Sequence, residues 1–186
     1  TQGLVYDDGV FYEGTGLYGG SSLRRVDIET GTVLAKQDLG EQYFGEGIAV
    51  LDDRIVQLTW QNHRGFVYDK TDFTLRGTFT YTGEGWGLAY DGEHLIMSDG
   101  TAKLRFLNPD TLEETGSVTV RDASGPVTRL NELECVAGEV FANVWLEDYI
   151  HRIGRDTGEV LGTIDCSGLL SPAEARAADV LNGIAH

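Results

Sequence analysis

The chain has 186 residues, 41% of them hydrophobic, and carries a formal charge of −16 from 30 acidic and 14 basic side chains. That length and apolar share suit a single domain, residues 1–186, with room for a buried core. The charge argues against nucleic acid as a partner, because phosphate binding needs a basic face, and no apolar run reaches the ~18 residues of a membrane span.

The opening stretch "TQGLVYDDGVFY" reads as a strand, an acidic turn and a second strand, and a leader or first strand is expected ahead of it. The same frame returns in "EGIAVLDDRIV", "WGLAYDGEHLI" and "ELECVAGEVFA", the last with Leu133 in place of the glycine; "NGIAH" then opens a fifth copy. Each copy has a polar or aromatic lead residue, Gly or Leu, an apolar run and a turn. The frame positions are 3, 47, 87, 133 and 183. After each turn a second apolar run follows ("RIVQLTW", "EVFANVW"), then a strand ending in a polar turn ("SLRRVDIETG", "KLRFLNPDT"), then an alternating strand ("TVLAKQDL", "EVLGTIDC").

Four short strands in a unit of roughly 40–50 residues, repeated, predict an all-β propeller. Four four-stranded repeats are near complete and a fifth blade is only begun, so the terminal strands that close the ring are expected to lie outside this sequence. A sandwich would also have short strands and turns, but it gives no reason for the recurring unit. The first strand of each unit is apolar on both faces and belongs innermost; the third and fourth alternate and belong outside. In "SPAEARAADVLNG", Ser171, Pro172 and Glu174 are helix-start signals, predicting a short helix near 171–180. Cys135 falls on an innermost strand and Cys166 at the end of an outermost one, about 14 Å apart at ~4.8 Å per strand. A bridge needs Cα atoms within about 7 Å, so both are expected to be free thiols.

The lead residues Gln2, Glu46, Trp86, Asn131 or Glu132, and Asn182 should converge at one end of the ring's axis. Trp60 and Trp145 end second strands near the same place, and Phe44 lies two residues before Glu46. All three tryptophans therefore gather around one carboxylate. Singly, each indole could be a filler between blades; together with Glu46 they predict a pocket. Glu46 itself could be solvated, or bind a structural cation. Wrapped by aromatics, its carboxyl would instead be pushed up by desolvation and able to accept and return a proton near neutral pH. His63, His94, His151 and His186 show no metal-ligand spacing, and three of them fall in or beside turns or outer strands, where a surface role is expected. The sequence has no Gly-rich phosphate loop, nucleophile elbow or zinc-type cysteine pair.

The motifs "TQGL", "FGEGI", "LTWQ", "GEGWGL", "LNELE", "NVW" and "LNGIA", in this order, resemble the plant- and bacterial-type glutaminyl cyclases over essentially the whole chain. The resemblance implies a five-bladed propeller that converts N-terminal glutamine of peptides or proteins to pyroglutamate with loss of ammonia. It implies Glu46 as proton carrier, Asn131 as the amide that steadies the substrate, and Gln2, Phe44, Trp60, Trp86 and Trp145 as the substrate pocket. Trp86 or Asn131 would then donate to the oxyanion. No metal or other cofactor is required by this scheme, which leaves room for a structural divalent cation. The family aromatic before "TQGL" and the family lysine after "NGIA" have no counterpart here. A monomer acting in the periplasm or after secretion is expected. The competing readings are a non-catalytic peptide- or sugar-binding propeller, and a calcium-dependent lactonase-like hydrolase with Glu46 and Asn131 as ligands.

Overall fold

A computed structural model describes residues 1–186. Blade 1 comprises β1 (Gly3–Asp7), β2 (Val10–Thr15), β3 (Ser22–Asp27) and β4 (Val33–Asp38). Blade 2 comprises β5 (Gly45–Leu51), β6 (Arg54–Thr59), β7 (Arg64–Asp69) and β8 (Leu75–Thr80). Blade 3 comprises β9 (Leu88–Tyr90), β10 (Leu95–Ser98), β11 (Lys103–Leu107) and β12 (Glu114–Thr119). A small ribbon, β13 (Arg121–Asp122) and β14 (Gly125–Pro126), leads to blade 4: β15 (Leu130–Val136), β16 (Glu139–Val144), β17 (Tyr149–Gly154) and β18 (Val160–Asp165). Every blade is an antiparallel meander with its strands in chain order.

Local chemistry sets these hairpins. Asp8–Gly9 and Ala137–Gly138 are two-residue turns with both φ positive, the geometry that matches strand twist. Between third and fourth strands, Asp27, Asp69 and Asn108 each accept a backbone N–H from two or three residues ahead. Such a side chain mimics a backbone turn and reverses the strand.

The innermost strands form a ring, with β1 against β5, β5 against β9, β9 against β15, and β15 against β1. The core is divided among the interfaces between blades. Tyr12, Ile48 and Phe66 lie in one layer, Leu58, Leu88 and Met97 in a second, Ile96, Leu130 and Val144 in a third. The frame glycines allow the inner strands to meet this closely. A methyl on Gly3 would sit 2.5 Å from Ile48 N, and one on Gly47 2.5 Å from Leu88 N; on Gly87 it would collide with Asn131 O.

A fully buried Glu132 draws blade 4 to blade 1. Its Oε1 accepts from Leu4 N at 3.1 Å and its Oε2 from Ile184 N at 2.8 Å. Asn143 Oδ1 accepts from Gly183 N at 3.1 Å. Residues 182–186 thus occupy the place of a fifth inner strand, but side chains hold them rather than a strand ladder, and they form no strand.

Three expectations change. The helix is a single turn, Pro172–Ala175, although the Ser171/Glu174 capping box is present; none of its residues is buried, and without an apolar face nothing offsets the cost of helix nucleation. His151 is buried on β17, its Nδ1 2.9 Å from Thr163 Oγ1. β1 is only partly covered, with Tyr6 42% exposed. Cys135 and Cys166 are free thiols, as expected.

Candidate active site

One end of the ring axis opens into a cavity of about 320 Å³, at the small end of the ~300–1,000 Å³ range of ligand pockets. All seven predicted residues line it: Gln2, Phe44, Glu46, Trp60, Trp86, Asn131 and Trp145. Bulges bring two of them there. β5 loses register with β6 between Gly45 and Ile48, around Glu46, and β15 loses register with β16 between Leu130 and Leu133, around Asn131 and Glu132. A bulge re-aims side chains. In blade 4 it resolves the choice between neighbours, placing Asn131 at the cavity and Glu132 in the closure of the ring.

The aromatic wall has two halves. Tyr18 packs edge-on to Phe44 at 5.5 Å and Phe44 to Trp60 at 5.7 Å; across the cavity Trp86 packs edge-on to Trp145 at 5.8 Å. Both Trp60 Nε1 (2.7 Å) and Trp86 Nε1 (2.9 Å) donate to the same oxygen, Glu84 Oε2, while Gln61 Nε2 donates to Oε1 at 2.9 Å. The Trp86 N–H, expected as an oxyanion donor, here donates to Glu84.

Glu46 is 6% exposed and its carboxyl makes no hydrogen bond within the protein. Burial pushes its carboxyl well above the usual carboxylate range, and the charge of Glu84 adds to the effect. A carboxyl so placed is a stronger base than a solvated one. Asn131, also 6% exposed, is a second polar group facing the cavity. Gln2 is anchored, its Oε1 accepting from Asn182 Nδ2 at 2.8 Å. The only charged lining groups, Glu46 and Asp179, are acidic, so the hollow favours a cation. No three His, Cys, Asp or Glu side chains converge as a metal site would require.

Sequence reasoning missed Glu84, Asp179 and Val180. Glu84 had a visible signal: Gly83-Glu84-Gly85 repeats Gly45-Glu46-Gly47. Asp179 and Val180 belong to the irregular segment after the helical turn, where no repeat frame points to the axis.

Fold and cavity together define a β-propeller with a buried carboxyl at the mouth of its ring, walled by indoles. The chain belongs to the glutamine cyclotransferase family, which it matches over residues 1–186. It is 44% identical to a glutaminyl-peptide cyclotransferase of Arabidopsis thaliana, an alignment covering all of this chain and 59% of that protein. The crystal structure of Myxococcus xanthus glutaminyl cyclase superimposes with a TM-score of 0.88 at 38% identity, over 100% of this chain and 80% of that one. The WD40 propeller domain of Doa1 (TM-score 0.61, 10% identity, 88% of this chain and 53% of that one) shares the fold alone.

Proposed function

We propose that this chain is a glutaminyl-peptide cyclotransferase that closes the N-terminal glutamine of peptides or proteins to pyroglutamate and releases ammonia. The observation that carries this reading is the Glu46 carboxyl, buried, free of hydrogen bonds and set in a small acidic cavity. Membership of the cyclotransferase family supports it.

The substrate's α-amino group enters as an ammonium, drawn by Glu46 and Asp179. Glu46 takes one proton from it, and the freed amine attacks the side-chain amide carbon. The indoles and Phe44 exclude water and hold the glutamine curled, which makes ring closure a matter of position. The Asn131 amide and the Gln2 NH₂ are the donors available to the oxyanion. As the tetrahedral intermediate collapses, Glu46 gives its proton to the departing nitrogen and the C–N bond breaks; Glu46 then takes the surplus proton of the ring nitrogen and passes it to the released ammonia. The products are the lactam and ammonium, and Glu46 is restored.

The test is incubation with a short Gln-initiated peptide, with and without chelator, following ammonia and the mass of the product. Ammonia in step with a mass loss is expected in both arms. Binding of the peptide without ammonia release, or turnover abolished by chelator, would overturn the reading.

A further inference from the structure

Glu84 is not used by the scheme above, and it does not line the cavity. It stands where the two halves of the aromatic wall come together. Trp60 follows β6 of blade 2, and Trp86 precedes β9 of blade 3; no ring contact joins them, and one carboxylate oxygen receives both N–H groups. Charge-assisted bonds of this kind are short and about twice as strong as neutral ones.

The backbone around Glu84 is pinned. Gly83 has φ +77°, and a methyl on Gly85 would lie 2.5 Å from Tyr81 Oη and 2.8 Å from Thr59 O. Gly85 N donates to Trp60 O at 2.9 Å. Tyr81 Oη accepts from Thr59 N at 2.9 Å and donates to Thr59 O at 2.5 Å. His63 Nδ1 lies 2.6 Å from Gly83 O. The carboxylate is thus delivered to a fixed point between two blades.

We propose that Glu84 is a positioning residue: it clamps Trp60 to Trp86 and so sets the width of the cavity. Its charge also adds to the rise of the Glu46 carboxyl. Although burial opposes it, hydrogen bonds from Gln61, Trp86 and Trp60 hold the Glu84 carboxyl below its usual range, so the clamp stays charged while Glu46 titrates. The other titratable groups near Glu46 are Asp179 in the cavity lining and the Tyr81 hydroxyl. The kinetic half of the proposal rests on the cyclase reading; the structural half does not.

The test has two arms. The chain has three tryptophans, hence three indole ¹⁵N–¹H signals, assignable with Trp60→Phe and Trp86→Phe. Glu84→Ala should shift the Trp60 and Trp86 signals and raise their solvent exchange, leaving that of Trp145 in place. In the kinetic arm, Glu84→Ala should raise KM roughly tenfold and lower kcat/KM about 100-fold, the cost of a misplaced wall.

Glu84→Gln keeps a carbonyl able to accept both N–H groups. It should hold KM within about threefold while moving the acid limb of the kcat profile to lower pH. Unchanged Trp60 and Trp86 signals in a folded Glu84→Ala would overturn the clamp. Should that variant not fold, Glu84→Gln decides: signals equal to those of an unbonded indole sink the clamp. An unmoved acid limb sinks the charge effect. A wild type that releases no ammonia defeats the function proposal instead, and the indole signals still decide the clamp.

Discussion

Glu46 and Glu132 hold the same place in the repeat, one residue before frame positions 47 and 133, and both are buried. Their surroundings are opposite. Glu132 has both oxygens satisfied by backbone N–H groups from β1 and from residue 184. Glu46 has no partner and opens on a cavity. A buried polar group that is satisfied belongs to the architecture, and one left unsatisfied beside a cavity marks a site of reaction. The propeller frame thus supplies equivalent positions that neighbouring blades use for different ends.

The largest expected effect breaks the comparison on the Glu46 side. Glu46→Gln keeps the shape and removes the proton carrier, so turnover should fall by about 10³-fold, within the range of general acid–base catalysis. Peptide binding should hold within several-fold and stability should not drop, because an unpaired buried carboxyl is lost. Ammonia release, calorimetric binding and a melting curve check the three parts. Cyclisation at the normal rate would mean that Glu46 does not carry the proton.

The next effect falls on the other side. Glu132→Ala strands two part-buried N–H groups, each costing at most ~1–3 kcal/mol, so unfolding in urea should show a loss of about 2–3 kcal/mol. The protein that remains folded should turn over within roughly threefold of wild type, with kcat and KM read separately. A loss of turnover without a loss of stability would move Glu132 from the architecture into the chemistry.

The propeller was legible because its repeat is written in residue types with a physical need. The frame glycines at 3, 47 and 87 are required by the close approach of inner strands, and the Asp and Asn turns by chain reversal. The cavity was legible for the same reason, since lead residues on equivalent strands must converge. Bulges lay beyond sequence reasoning. Periodicity cannot tell whether Asn131 or Glu132 faces the axis when both oppose one gap in the ladder. Nor could it foresee that the Trp86 N–H donates to Glu84, because that bond joins two side chains in an irregular segment that follows the positive φ of Gly83. His151 was misplaced because a third strand has one inward face, and the ring found Thr163 there.

The smallest effect sharpens the comparison with an intermediate case. Glu134, two residues along β15 from Glu132, accepts one hydrogen bond, from Cys135 N at 2.9 Å. Burial pushes its carboxyl up to about 7, against that bond. A carboxyl whose folded pKa lies above its unfolded ~4.3 stabilises the fold fully only below the unfolded value. The contribution is lost as pH rises through the folded one. Glu134→Gln removes that dependence. Relative to wild type, the variant should therefore gain stability between pH ~4.3 and 7 and gain nothing further above it. The gain should be about 1–2 kcal/mol, because screening at a half-buried group trims the full linkage value. Glu46→Gln should show a gain of the same sign, since the Glu46 carboxyl is raised by burial with no hydrogen bond to oppose it. Urea unfolding of the three proteins at a series of pH values tests this. A difference that is flat with pH, or that shrinks as pH rises, would show that these carboxyls are ionised in the folded ring at no cost.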